Sequence, residues 1–409
     1  MQRKHPALRA LIREEPDGLY YEADSAPEIP LRIVPRVTED DYQRERQTEL
    51  TTDFVYDQPQ LRAVWLQSDV ESDLLLTTSH RICDGMSIFA IVREVLRSLH
   101  TDEELIPYDP ITERDIIGDY QPAKPWKRKL AVSLINGLLR LVPSSRRAPE
   151  SNEQYLEWSA GRELLSALKQ RCKTEGVSVH APLVVALDRA LLAVFGKEKG
   201  PKWIDNQIDP RRRLRVAALK SDTLFLGGGG FKLRAGKAPD VEFWQRTRAI
   251  NKEIREQIEQ EILNIPSRFH FFQMLRTPTS GQVQWMVQMY CALRMKHSLD
   301  RFPLSNLGNV AALDSDAPFR VKDLRLYVHS LRIGVLGLVT YTFNEEMRFY
   351  CITGENCMTH SQMDALKREF MTLLQHQVIQ PEYGVREVPA CSVQSLDIGI
   401  TTERTPGIW

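Results

Sequence analysis

Cysteine does not organise this sequence: the six cysteines among its 409 residues show no paired spacing, which argues against a disulfide framework and fits a reducing compartment. The cytoplasm is the simplest home for such a chain. Net charge is lacking too, because 54 basic and 54 acidic side chains cancel. No global field draws the protein to nucleic acid, which is not expected as a partner, or to an anionic membrane; any charged partner must be met by a local patch. No apolar run reaches the ~18 residues of a spanning helix, and Met1-Gln2-Arg3-Lys4-His5-Pro6 lacks the apolar stretch of a signal peptide. Cys351, Cys357 and His360 are not at zinc spacing, so no metal site is expected. There is no internal repeat and no low-complexity tract.

What remains is a globular composition, 42% hydrophobic and 26% charged. The length exceeds one ordinary core, so two lobes are expected, residues 1–150 and 151–409. Leu31 to Val34 is a short apolar run. Leu61 to Gln67 and Asp73 to Thr78 read as an antiparallel hairpin around a polar turn. Past Asp84-Gly85, the positions Ile88, Ile91, Val92, Val95, Leu96 and Leu99 keep the spacing of one helical face. Lys127 to Val142 is an apolar stretch led by Lys-Arg-Lys and followed by Arg146-Arg147. Helix packing across the lobe junction is the commoner outcome for such a segment, and weak membrane contact through residues 127–142 is the alternative.

Later helices are predicted over Arg162 to Thr174, from about Ala181 with Pro182 in the first turn, and through Phe243, Thr247, Ile250, Ile254, Ile258 and Ile262. A last helix starts at Thr359, with Gln362 completing a capping box. Leu324 to Ser330, Ile333 to Phe343 and Met347 to Thr353 are β-rich, with Asn344-Glu345-Glu346 as a hairpin turn. This mixed order of helices and hairpins gives an α+β class.

The segment that carries chemistry is His80-Arg81-Ile82-Cys83-Asp84-Gly85. A histidine followed at this spacing by Asp-Gly arises by chance in roughly one average chain in thirty of this length. Its context raises it: a strand delivers His80 and an amphipathic helix opens at Asp84-Gly85, which presents an imidazole on a turn. Asp84 at a helix start can also serve as a simple cap. Cys83 beside His80 invites a Cys-His nucleophile, but neighbours on an extended turn point apart and buried cysteine is commoner. Gly227 to Gly230 lacks the Gly-Lys-Ser/Thr ending of a phosphate loop and is read as a mobile loop. Arg211-Arg212-Arg213 is an exposed charged turn or a phosphate holder.

With these residues the sequence resembles the condensation-domain and chloramphenicol-acetyltransferase-like superfamily of thioester-dependent acyltransferases, especially its free-standing alcohol acyltransferases. Arg3-Lys4-His5-Pro6-Ala7-Leu8-Arg9 looks like the family's first helix end, and His80 to Gly85 matches its active-site motif. Gly176 to Ala181 looks like the second-lobe helix junction, Asp209-Pro210-Arg211 resembles an Asp-x-Arg strand, and Ser305-Asn306-Leu307-Gly308 resembles a strand lining the tunnel. The resemblance implies two acetyltransferase-type lobes with a central tunnel, donor and acceptor entering from opposite faces. His80 would be the general base, Asp84 would pair with Arg211, and Gly85 would keep the turn or tunnel uncrowded. Ser305 and Asn306 would donate to the oxyanion, although such a pair also suits an ordinary turn.

No bound cofactor is implied; acyl-CoA or an acyl carrier protein would be the donor and a small-molecule alcohol or amine the acceptor. Ser79 stands where peptide-synthetase condensation domains usually carry a second histidine, which favours ester formation. Carrier-dependent amide formation and a catalytically silent, ligand-binding member are the alternatives. The family carries a strand and most of a helix before its His-Pro-x-Leu-Arg element, so either the start is misassigned or the first lobe is shortened. That reading expects Leu8, Leu11 and Ile12 to be exposed.

Overall fold

The computed structural model describes residues 1–15, 18–142, 153–227, 229–236, 241–276, 282, 285, 301–310, 317–328, 337–355 and 357–379. The expected lobe boundary at 150/151, Arg146-Arg147, Gly228 and the ends of two expected strands, 329–330 and 333–336, lie outside the described residues.

The first half begins with one helical turn, α1 (Pro6–Arg9), and an antiparallel hairpin of β1 (Leu11–Glu15) and β2 (Gly18–Glu22). Leu8, Leu11 and Ile12 are buried, not exposed as expected. Leu8 packs with Leu61, Ile88 and Ile91, so this leucine already has a core to join. A three-stranded sheet follows, in the order β3 (Leu31–Pro35), β4 (Leu61–Gln67), β5 (Asp73–Thr78). Strands β4 and β5 form the expected antiparallel hairpin, while β3 runs parallel to β4. The parallel step needs a crossover, supplied by α2 (Glu39–Thr51) behind a Thr38–Asp41 capping box. Helix α2 escapes periodicity because its sequence is almost wholly polar; it buries only Tyr42 and Glu49. Next come α3 (Gly85–Ser98), α4 (Glu113–Ile117) and α5 (Pro125–Leu141).

The second half is built on a six-stranded sheet of order β6-β11-β10-β9-β7-β8. Its strands are β6 (Glu153–Ala160), β7 (Trp203–Gln207), β8 (Gly230–Arg234), β9 (Arg301–Asn309), β10 (Gly337–Phe343) and β11 (Glu346–Gly354). Helices α6 (Arg162–Glu175), α7 (His180–Lys199), α8 (Phe243–Gln273) and α9 (His360–Ile379) share a core with it. Helix α7 is apolar almost all round, with Ala181 to Leu187, Ala190 and Leu191 buried, as a helix packed between others must be. Each fully buried Leu or Phe here contributes roughly 1.5–3 kcal/mol relative to staying exposed. Thr359 and Gln362 exchange the expected capping bonds: the Thr359 amide donates to Gln362 Oε1 at 2.9 Å, and the Gln362 amide to Thr359 Oγ1 at 3.3 Å.

Strands β10 and β11 turn at Asn344 and Glu345, whose φ values of 47° and 64° are the left-handed pair a two-residue hairpin requires. The strand expected over Leu324 to Ser330 is not formed in its described part: Leu324 to Val328 join no ladder. A side chain takes the ladder's place, because the Tyr341 hydroxyl donates to the Leu324 carbonyl (2.9 Å) and accepts from the Leu326 amide (3.2 Å). This segment ties the two halves together through the Tyr42–Tyr327 hydroxyl contact (3.3 Å) and the Lys322–Glu71 ion pair (2.7 Å). Helix α3 joins them as well, with Phe89 against Tyr341 and Phe343.

Candidate active site

Strand β5 ends at Thr78, and the chain turns through His80 to Ile82 before α3 begins at Gly85. The turn is fixed by backbone bonds from the Ser79 amide to the Gln60 carbonyl (3.0 Å) and from the Ile82 amide to the Ser79 carbonyl (3.2 Å). Ser79 is buried and structural, with its hydroxyl facing Arg81. Hairpin β1–β2 braces the turn from outside: the Tyr21 hydroxyl donates to the Arg81 carbonyl at 3.0 Å. His80 is exposed. Its Nδ1 lies 2.6 Å from the Cys83 carbonyl oxygen. A carbonyl can only accept, so Nδ1 carries a proton, and in the neutral ring Nε2 holds the lone pair.

Cys83 is buried beneath the turn, its Sγ 3.2 Å from Thr78 Oγ1. Burial pushes its thiol up to about 11, so almost no thiolate exists near neutral pH. A Cys83 nucleophile therefore finds no support in the geometry.

Asp84 is both helix cap and ion-pair partner. Its Oδ1 accepts from the Ser87 amide and hydroxyl, both at 2.9 Å, which caps α3. Arg211 grips the same carboxylate, Nη1 to Oδ2 at 2.9 Å and Nη2 to Oδ1 at 2.7 Å. Nη1 also reaches Asp209 Oδ1 (2.8 Å), Nε reaches the Thr223 carbonyl (3.0 Å), and Nη2 shares its hydrogens among Asp84, Ser87 Oγ (2.6 Å) and the Phe225 carbonyl (2.9 Å). Burial opposes the Arg211 charge, but Asp84 and Asp209 more than offset it and its pKa is raised. Asp209-Pro210-Arg211 follows β7 in a turn and is not itself a strand.

Gly85 is the first residue of α3, and a Cβ there would lie 2.9 Å from a methyl of Leu307 on β9. The glycine run is not a free loop where it is described. A Cβ on Gly227 would meet Pro210 at 2.4 Å, one on Gly229 would meet Ile208 at 2.8 Å, and one on Gly230 the Asn206 carbonyl at 2.9 Å. These glycines let the chain lie directly against the segment that aims Arg211.

Ser305 and Asn306 lie in β9, with Val339 and Thr340 of β10 as their register partners. Alternation puts them on opposite faces. Ser305 and Val339 share the face from which Tyr341 and Phe343 meet α3. Asn306 and Thr340 share the other, with Phe349 of the helix-covered core. The Asn306 side-chain oxygen accepts from the Gly308 amide at 3.0 Å, where φ is +72°.

Sequence reasoning did not single out Ser87, whose trace is its place as the third residue after a capping Asp, and it named Asp209 and Leu307 only as members of motifs, without the contacts they make. A buried polar network behind the site was missed as well. Lys4 contacts Glu94 and, at 2.7 Å, Asp222; His5 Nε2 lies 2.7 Å from Glu94 Oε2; the Tyr108 hydroxyl donates to Asp222 at 2.9 Å. Burial disfavours all three charges. Asp222 and Glu94 nonetheless raise the Lys4 pKa, while His5 and Lys4 hold Glu94 low, and Lys4 and Tyr108 hold Asp222 low. Among the described residues no three His, Cys, Asp or Glu side chains converge as metal ligands would.

No protein-family model matches the chain, and no curated protein matches it. Solved structures do. The epimerization domain from the third module of tyrocidine synthetase B superposes with a TM-score of 0.61 at 14% identity, covering 92% of this chain and 85% of its own. The SgcC5 protein from Streptomyces globisporus gives 0.61 at 16% identity over 93% and 87% of the two chains. Polyketide synthase associated protein 5 from Mycobacterium tuberculosis gives 0.60 at 11% identity over 94% and 88%. At such identities the likeness is one of fold: the chain shares the overall α+β fold of these three structures.

Proposed function

We propose that this chain is an acyltransferase that moves an acyl group from a CoA or carrier-protein thioester to the hydroxyl of a small-molecule acceptor, with His80 as general base. The observation that carries the reading is the Nδ1 contact to the Cys83 carbonyl, which leaves Nε2 of an exposed imidazole as a fixed proton acceptor. In the proposed reaction the acceptor oxygen attacks the thioester carbonyl while Nε2 takes its proton. The resulting imidazolium keeps its bond to Cys83 O. Collapse of the tetrahedral intermediate breaks the carbon–sulfur bond, and Nε2 returns the proton to the leaving sulfur. The C–O bond formed and the C–S bond broken balance, and no redox partner is needed.

Asp84, Ser87 and Arg211 act by holding the turn, and Gly85 by letting β9 close on it. Ser305, on the β9 face that looks toward α3, is the better placed of the two proposed oxyanion donors; Asn306 looks toward the helices. A tunnel between the lobes would hold both substrates, and their joint positioning would add more to the rate than proton transfer alone.

Amide formation with a carrier-bound donor is the second reading, prompted by a similar structure that comes from a peptide synthetase, as its epimerization domain. Buried Ser79 at the position of a second histidine leans toward the ester. The test is thioester consumption with panels of alcohols and amines, repeated with His80→Ala. Turnover should fall by roughly 10² to 10⁴, with a smaller change in donor affinity. The pH–rate profile should lose one limb in the variant. A His80→Ala protein with near-normal turnover overturns the reading.

A further inference from the structure

Helix α5 buries one face and leaves a different, apolar one uncovered. It packs on α8 through Arg128, which donates to the Ser267 carbonyl (3.0 Å) and hydroxyl (2.8 Å), and through Asn136, which donates to the Met274 carbonyl (3.3 Å). Val132 and Leu139 are buried along the same side. Away from it stand Trp126, Leu130, Leu134, Leu138 and Leu141, between 55% and 79% exposed. At 3.6 residues per turn these five share one arc of about 120° running the length of the helix. Soluble surfaces rarely leave so continuous an apolar stripe bare.

The charge around the stripe is one-sided. From Gln121 to Pro149 the sequence holds seven basic residues and no acidic one, in a chain whose total charges cancel. Of these, Lys127, Lys129 and Arg140 are exposed on α5 itself. Lys129 and Arg140 lie along one edge of the stripe, and the Lys127 ammonium sits 5.4 Å from the Trp126 ring centre. No single described helix is long and apolar enough to cross a membrane, so any lipid contact through α5 lies along the surface.

We propose that α5 is a docking surface for an anionic lipid membrane, with the Trp126–Leu141 stripe set into the acyl boundary and Lys127, Lys129 and Arg140 against the headgroups. A second copy of the chain is a poorer occupant, because two such stripes would bring like charges together with no carboxylate in the segment to answer them. An anionic interface satisfies both features at once. This inference is independent of the acyl-transfer reading, since it is tested without turnover.

The experiment is co-sedimentation of the full-length protein with large vesicles, of phosphatidylcholine alone or with phosphatidylglycerol added. Binding should require phosphatidylglycerol and weaken as salt is added. Lys127→Gln and Lys129→Gln should each lower the partition coefficient by about five-fold. Leu134→Glu should nearly abolish binding, with thermal unfolding unchanged because Leu134 is 63% exposed. Three results overturn the proposal: a protein that stays in the supernatant, binding indifferent to Leu134→Glu, or a dimer in light scattering that Leu134→Glu converts to monomer. The last would assign the stripe to a second copy of the chain.

Discussion

Arg211, in the turn after β7, reaches Asp84 at the start of α3 with two hydrogen bonds of 2.7 and 2.9 Å, joining residues 127 apart in the chain. The guanidinium side chain is 1% exposed and bonded on all three nitrogens, while Asp84 keeps 21% of its side chain in solvent. The pair couples the turn after β7 to the turn that presents His80.

Removing the guanidinium leaves Asp84 and Asp209 with no countercharge and Ser87, Thr223 and Phe225 with lost partners. Arg211→Ala should therefore lower stability by about 3 kcal/mol or more and lower turnover through the turn. Asp84→Asn keeps an acceptor for Ser87 and leaves Asp209 with Arg211, so its loss should be smaller. Thermal unfolding and steady-state turnover check both; an Arg211→Ala protein with wild-type melting would show that the pair holds nothing.

Gly85 should tolerate no side chain while Leu307 stays in place. Gly85→Ala gains helix propensity, but the new methyl would sit 2.9 Å from Leu307 Cδ2. The net effect should be a loss of about 1 kcal/mol. In a double-mutant cycle Leu307→Ala should relieve the Gly85→Ala penalty, giving a coupling of at least about 0.5 kcal/mol. Additive losses would mean that the two residues do not meet.

Cys83 should be chemically quiet. Its thiol, buried and pushed up to about 11, should resist alkylation at pH 7.5 until the protein unfolds. Cys83→Ala should keep turnover within a few-fold, because the catalytic contact uses the backbone carbonyl, at some cost in stability from the small cavity. Rapid labelling of native Cys83 accompanied by loss of activity would revive the nucleophile.

The network of Lys4, Glu94 and Asp222 should make stability fall in acid. Glu94 and Asp222 have lowered pKa values, so their contribution is complete above the ordinary carboxylate range and is lost as pH falls through their folded values. Lys4, whose pKa is raised, contributes below the ordinary lysine value and loses its contribution only as pH rises beyond it. Melting temperature should be flat near neutrality and drop below about pH 4. A Glu94→Gln, Asp222→Asn double variant, less stable at pH 7, should show a shallower acid limb; parallel curves would remove the network from the acid response.

The sequence by itself determined the elements marked by short apolar runs or by apolar residues at helical spacing: β4, β5, α3, the second-half helices and the β10–β11 hairpin with its Asn344-Glu345 turn. It also determined the turn carrying His80 and the capping of α3 by Asp84, because both are local and depend on residues within a few positions. Helix α2 stayed illegible because a polar crossover helix carries no apolar period, and Leu324 to Val328 read as a strand because composition does not show that Tyr341 replaces the ladder. Only tertiary structure decided that Asp84 serves cap and ion pair together, and that glycines near 227 exist for close approach to Pro210 and Ile208. It alone set Ser305 and Asn306 on opposite faces and left one side of α5 open. These outcomes rest on contacts between residues far apart in the chain, which chain connectivity, not local propensity, brings together.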